Sequence, residues 1–251
     1  MVMVRAWSML TILTASVCAS LAHAAPSLPA GEYTASGGWG VLTLAPVTAD
    51  VGSQAFTIET IGSNAHTCSL EGRIVDWQAI LVEDRDADEA DDAPRCVIDF
   101  KLVGTDIIVS SPTLDACSSH CGARAGFDYT YRRPSAACTE RQRTARREAF
   151  AKRYRARDYA QALVLLQRFD QDCGDLLFWM ERDRVRNDLA ITQYHLGRKA
   201  DCLKTLVATR AGSVADAAAL EEALPPTDFD SYLPTAKAVW FNRRQCQQAR
   251  R

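Results

Sequence analysis

The spacing of apolar residues changes partway along the chain, and no single kind of element can satisfy both spacings. Up to Arg132-Arg133-Pro134-Ser135, short stretches alternate between apolar and polar: Gly40 to Ala45, Ala55 to Ile61, His66 to Val75, Ala79 to Glu83, Cys96 to Val103, Ile107 to Ser111 and Phe127 to Tyr131. In one of them Cys96, Ile98, Phe100 and Leu102 share a face while Val97, Asp99 and Lys101 occupy the other, the pattern of a half-buried strand. Strands at this spacing, separated by Gly, Pro and Asp, predict a small antiparallel β barrel or sandwich over residues 25–134. Beyond Cys138 the period becomes helical, which predicts an all-α hairpin-repeat domain over residues 135–251 and an α+β fold for the whole.

The helical half repeats itself. Phe150, Tyr154, Ala162, Leu163 and Leu166 are followed by Ala190, Tyr194, Cys202, Leu203 and Leu206, with Tyr154, Ala162, Leu163 and Leu166 each returning 40 positions later. Arg157-Asp158-Tyr159-Ala160-Gln161-Ala162-Leu163 and Tyr194-His195-Leu196-Gly197-Arg198 resemble the second-helix start and first-helix exit of tetratricopeptide-type repeats, over about residues 140–211. The offset exceeds that family's usual period of roughly 34, and no closing Pro is present. The resemblance implies stacked helical hairpins with an extended binding surface, and a last helix from roughly Ser231 to Gln248, bearing Trp240 and Phe241, is expected to cap the stack.

Cysteine usage bounds the compartment. Residues 1–24 read as a secretory signal peptide, with Arg5 ahead of an apolar stretch from Met9 to Leu21 and Ala22-His23-Ala24 as the cleavage site. Cleavage near Ala24 would remove Cys18 from the nine cysteines and leave Cys68, Cys96, Cys117, Cys121, Cys138, Cys173, Cys202 and Cys246. An even count in an exported chain favours disulfides over metal, and a bacterial periplasm or secreted location is expected. The expected bonds are Cys68 to Cys96 across neighbouring strands and Cys117 to Cys121 within a loop. Two more fall among Cys138, Cys173, Cys202 and Cys246, with three connectivities open. No other segment is apolar enough to span a bilayer.

Charge divides where the period does. Residues 25–138 carry 16 acidic and 7 basic side chains, residues 139–251 carry 15 and 21, so the halves have net charges of −9 and +6. Halves of opposite sign attract each other or face different partners. The acid is densest from Glu83 to Asp92, where Asp84, Asp86 and Asp88 imitate the start of a calcium loop and Asp91 and Asp92 continue the run. Glu89 stands where that loop's sharp turn needs Gly, and Arg95 where its bidentate Glu belongs, so a solvated hairpin tip or a docking element for a basic partner is expected instead. Arg141, Arg143, Arg146, Arg147, Lys152, Arg153, Arg155 and Arg157 are expected to spread over a solvent-facing helix surface, and export argues against nucleic acid as their partner.

Catalytic layouts are sparse: no Gly-x-Ser-x-Gly elbow, no His-Glu-x-x-His pair and no phosphate-cradling Gly-Lys-Ser/Thr loop. Ser119-His120-Cys121-Gly122-Ala123-Arg124 resembles the Ser-His-Gly-Cys-x-Arg signature of L,D-transpeptidases, with Cys and Gly exchanged. That resemblance implies a cysteine-dependent cell-wall enzyme centred on Cys121, with His120 or His66 as base, and it requires a free thiolate. His66, Cys68, Cys96, Cys117, His120 and Cys121 suit zinc by type but match no finger or ribbon spacing, so neither metal nor cofactor is expected.

A second resemblance covers about residues 31–132. Gly62-Ser63-Asn64-Ala65-His66-Thr67-Cys68, Cys96-Val97-Ile98-Asp99-Phe100 and Cys121-Gly122-Ala123-Arg124 resemble a disulfide-bonded β module of exported bacterial proteins, of a kind found beside lysozyme-inhibitor domains. In periplasmic lysozyme inhibitors a loop with Ser, Gly and a neighbouring basic side chain plugs the glycosidase cleft. The resemblance therefore implies a binding loop of Ser118, Ser119, His120 and Arg124. The leading expectation is a non-enzymatic protein-binding or envelope-associated module. Its alternatives are the Cys121 enzyme and a structural envelope protein whose two halves dock together.

Overall fold

The structure, a computed structural model, describes residues 27–47, 52–81 and 95–248. The expected signal peptide, and the acidic run with Asp84, Asp86, Asp88, Asp91 and Asp92, lie outside the described residues.

The N-terminal half is an eight-stranded, all-antiparallel and nearly closed barrel: β1 Gly31–Ala35, β2 Gly40–Leu44, β3 Gln54–Ile61, β4 Thr67–Ile74, β5 Gln78–Leu81, β6 Cys96–Val103, β7 Asp106–Ser110 and β8 Thr130–Arg132. Neighbours follow chain order from β1 round to β8, which pairs back onto β1 through Thr34↔Arg132 and Ala35↔Tyr131. The open place is between β4 and β5. They meet in a two-residue turn where Val75 and Gln78 exchange hydrogen bonds of 2.8 and 2.9 Å, with Asp76 and Trp77 at φ 50° and 66°, the left-handed pair that matches strand twist. Alternate residues fill the interior, among them Tyr33, Leu42, Ile58, Leu70, Ile98, Ile107 and Tyr131, all fully buried. Phe56 and Phe100 meet edge to face across it at 5.1 Å. Eight strands enclose a space that side chains of this size can fill.

Six α-helices follow among the described residues: α1 Glu140–Arg155, α2 Tyr159–Cys173, α3 Trp179–His195, α4 Lys199–Val207, α5 Ala217–Ala223 and α6 Pro226–Gln247. α1/α2 and α3/α4 form two hairpins whose turns correspond at the 40-residue offset. Arg157 takes φ 59° where its counterpart Gly197 takes φ 76°. Asp158 caps α2 by accepting from the Gln161 N–H. The last helix starts earlier than its apolar period suggests. Pro226 stands in the first helical turn, where a proline gives up only an N–H that has no intrahelical partner. Buried Tyr232, Ala236, Val239 and Trp240 set α6 against α3 and α4.

The run of arginines is not a solvent face throughout. Arg146 pairs with Asp172 of α2 at 2.7 Å and lies over the Phe169 ring, while Arg147 pairs with Glu181 and Asp188 of α3 at 3.6 and 3.8 Å. Arg143 binds Glu140 and the Leu176 carbonyl. The expectation is corrected because α1 lies against two helices that present carboxylates, so much of its charge is used to hold the stack.

The halves dock through the β1–β2 hairpin tip. Gly37 donates to the Asp175 carbonyl at 2.9 Å, and Trp39 meets Phe178 edge to face at 5.1 Å. Between them Gly38 (φ 70°) sits so close to the Leu177–Phe178 backbone that a Cβ would lie 2.2 Å from the Phe178 nitrogen. Among the described residues the ion pair across this junction joins Arg132 of the acidic half to Asp175 of the basic half at 3.9 Å, opposite in sense to the net charges. Shape and backbone hydrogen bonding hold this contact, not the charge division.

Candidate functional site

The segment from Ser111 to Gly126 lies against the barrel's open seam. β4 and β5 are the two ends of the sheet order, joined among the described residues by the single Val75–Gln78 bridge, so β4 lacks a laddered neighbour on that side. The returning chain fills the place. Thr113 donates its hydroxyl to the Arg95 carbonyl at 2.9 Å and accepts from the Val97 N–H at 2.8 Å, tying the segment to the start of β6. A 3-10 segment, Leu114–His120, then crosses to β4, where Cys121 forms an antiparallel bridge with Cys68 and Gly122 donates to the Thr67 carbonyl at 2.8 Å.

Two disulfides stitch this crossing, and they correct the expected pairing. Cys117 bonds Cys96 and Cys121 bonds Cys68, not Cys68 with Cys96 or Cys117 with Cys121. The reason is topological: β4 is one end of the sheet order and β6 is next to the other end, so Cys68 and Cys96 are not on neighbouring strands. Each bond closes a chain separation of 53 or 21 residues, for which loop-closure entropy predicts roughly 3 to 4 kcal/mol apiece. In the helical half Cys138 bonds Cys173 and Cys202 bonds Cys246, one of the three open connectivities.

Ser118, Ser119 and His120 are thereby the three residues between two half-cystines anchored on different strands. Ser118 and Ser119 are exposed, and His120 is half-buried with an Nε2 that finds no hydrogen-bond partner among the described residues. Arg124 is exposed in the turn that follows, where Ala125 donates to the Gly122 carbonyl at 2.9 Å. The segment is packed close: a Cβ on Gly62 would fall 1.9 Å from the Arg124 carbonyl oxygen, and one on Gly122 would fall 2.6 Å from His66 Nδ1. Cys121, bonded to Cys68, carries no thiolate in this state, and His66 packs on Gly122. Among the described residues no group of three or more His, Cys, Asp or Glu side chains is gathered for a metal.

A second constellation, not singled out in the sequence, lies where α1 and α3 run side by side. The His195 ring stacks on Tyr159 at 4.3 Å and 8°, and its Nε2 is 3.1 Å from the Tyr154 hydroxyl. Two turns earlier on α3, Asp188 faces Arg147. Burial raises the Asp188 carboxyl to about 6, with Arg147 pulling the other way. Burial, then Arg157, lowers the His195 imidazole, while burial, then Tyr159 and Asp188, raises the Tyr154 phenol. The signal was present as Arg147/Tyr154 and Asp188/His195, each seven residues apart and therefore on one helix face. Among other aromatics, Trp39 packs at the junction, Trp240 is 9% exposed with its indole donating to the Ala211 carbonyl, and Phe241 is 52% exposed.

No protein-family model, curated protein or solved structure matches this chain.

Proposed function

We propose that the chain is a non-enzymatic, exported binding protein that presents Ser118, Ser119, His120 and Arg124 as a pre-organised loop to a protein partner. The carrying observation is the bracketing of Ser118-Ser119-His120 by half-cystines bonded to β6 and β4. A loop held this way has lost most of its conformational freedom before binding, which removes a cost that a flexible loop meets at the interface. Hydroxyls and a guanidinium at its surface suit a partner cleft lined by carboxylates, and a peptidoglycan-cleaving glycosidase such as lysozyme has such a cleft. Four disulfides, and the lack of any membrane-length apolar helix among the described residues, are compatible with a periplasmic or secreted site of action.

Lysozyme turnover of a peptidoglycan substrate, titrated with the oxidised mature protein, tests the reading. Stoichiometric inhibition that Arg124→Ala weakens at least tenfold, with the melting temperature unchanged, is the expected result. Absence of both inhibition and complex formation with lysozymes of several structural classes would remove the glycosidase reading.

A further inference from the structure

The β3–β4 turn carries a cap for a helix of the other half. α6 begins at Pro226, and no side chain of its own chain segment caps it. Asn64 supplies the cap from the barrel: its Oδ1 accepts from the Thr227 N–H at 3.0 Å, and its own N–H donates to Asp228 Oδ1 at 3.1 Å. This is the reciprocal arrangement of a capping box, with the cap residue contributed by a distant part of the chain. Asn64 reaches it at φ 61°, a left-handed conformation that Asn tolerates better than most residues.

The opposite side of that turn rests on the disulfide-bonded segment. Gly62 packs on the Arg124–Ala125 backbone, His66 packs on Gly122, and Thr60 donates to the Gly126 carbonyl at 2.6 Å. Within the turn Gly62 donates to His66 at 2.7 Å. The Gly62–His66 turn is thus held between the 121–126 segment and the start of α6, and the Cys68–Cys121 bond fastens the first of these. Accessibility sets that bond apart. Cys96, Cys117, Cys138, Cys173, Cys202 and Cys246 are each at most 3% exposed and Cys68 is fully buried, whereas Cys121 is half-buried.

We infer that Cys68–Cys121 is a redox-sensitive latch: its reduction releases the 121–126 segment, loosens the Asn64 turn and uncaps α6, so that the state of one disulfide in the barrel is felt in the helical half. The step needs an external dithiol. Its thiolate attacks Cys121 Sγ, Cys68 leaves as thiolate and takes a proton, and the second thiol of the reductant resolves the mixed disulfide. The protein ends with two thiols and the reductant with one disulfide.

Graded reduction of the oxidised full-length protein by dithiothreitol, with differential alkylation and peptide mass spectrometry, reads the order in which bonds open. Hydrogen exchange of the peptide spanning the first turns of α6 reads the cap. Cys68 and Cys121 are expected to label first, with exchange at Asn64 and Thr227 accelerated about fivefold, the effect of losing one helix cap. Asn64→Ala should produce the same acceleration while the disulfide is intact, and reduction should add nothing to it. Three outcomes each overturn the inference: another cysteine pair opening first, Cys68–Cys121 opening without faster exchange in α6, or additive effects of reduction and Asn64→Ala. Should Asn64→Ala fail to accumulate, Asp228→Asn, which keeps the fold's volume but weakens acceptance from the Asn64 N–H, replaces it.

Discussion

Gly38→Ala tests whether the barrel and the helices are held by close backbone approach. Two costs are expected, and a second glycine separates them. Gly38 has φ 70°, and a side chain in that region costs about 1 to 2 kcal/mol wherever it occurs. Gly104 has φ 63° with nothing within 4 Å of a Cβ, so Gly104→Ala reads that conformational cost alone. At Gly38 the new methyl would also lie 2.2 Å from the Phe178 nitrogen and 2.4 Å from the Leu177 carbonyl carbon, both backbone atoms that cannot rotate away. Relief requires the hairpin tip to lift. Lifting forfeits the Gly37 to Asp175 hydrogen bond, about 1 kcal/mol, and the Trp39–Phe178 ring contact, about 1 kcal/mol more. Gly38→Ala should therefore cost about 3 to 4 kcal/mol against about 1 to 2 for Gly104→Ala, or melting points lower by about 6 to 16 °C and about 2 to 8 °C for a chain of this size. Urea titrations of the oxidised protein, followed by circular dichroism and tryptophan fluorescence, measure both. The change in unfolded-state entropy on replacing Gly is common to the pair and cancels. Equal losses in the two variants would refute the reasoning, since the junction would then contribute nothing beyond the φ angle.

Two further perturbations address the helical half. Asp188 and His195 should give opposite pH dependences. Asp188 holds its proton more tightly when folded, so the stability it contributes is present at low pH and is lost as pH rises from 3.8 through about 6. His195 holds its proton less tightly when folded, so its contribution is lost as pH falls below 6.5. Chemical denaturation between pH 5 and 7.5 should thus show His195→Gln gaining stability relative to wild type on acidification and Asp188→Asn losing it; parallel profiles would contradict both assignments. Arg157→Gly should stabilise by up to about 1 kcal/mol, because φ 59° strains any side chain and the repeat places Gly197 at the equivalent turn. Gly197→Arg should destabilise in the same thermal melts, and a loss of stability in Arg157→Gly would show that its side chain is needed at the turn.

The strands were legible where one face is buried along their length. Cys96, Ile98 and Phe100 point inward as their alternation requires, and β3 and β4 pair over eight residues each. β1 was not among the expected strands, because five residues with only Tyr33 and Ala35 fully inward give too short an alternation to register. Its place became fixed by β8, a partner nearly one hundred positions away in the chain whose own expected position, Phe127 to Tyr131, is shifted to Thr130–Arg132. The helical hairpins were legible because their packing is local, each helix meeting its sequence neighbour, and a 40-residue repeat doubles the signal.

What sequence could not supply was the seam. A strand pattern specifies which face is buried but not where a curling sheet will leave an edge unpaired, and that edge decides which cysteines meet. Because β4 and β5 share only the Val75–Gln78 bridge among the described residues, the segment after β7 lies on the free side of β4, with Cys121 beside Cys68 and Cys117 beside Cys96. The same arrangement bears on the proposed binding loop. Covering an edge with a loop prevents strand-to-strand association; anchoring that loop at both ends leaves Ser118 and Ser119 at the surface, with His120 half-buried beside them. Ser118 and Ser119 therefore owe their exposure to incomplete barrel closure, and removing Cys96–Cys117 or Cys68–Cys121 is expected to reopen that edge as well as free the loop.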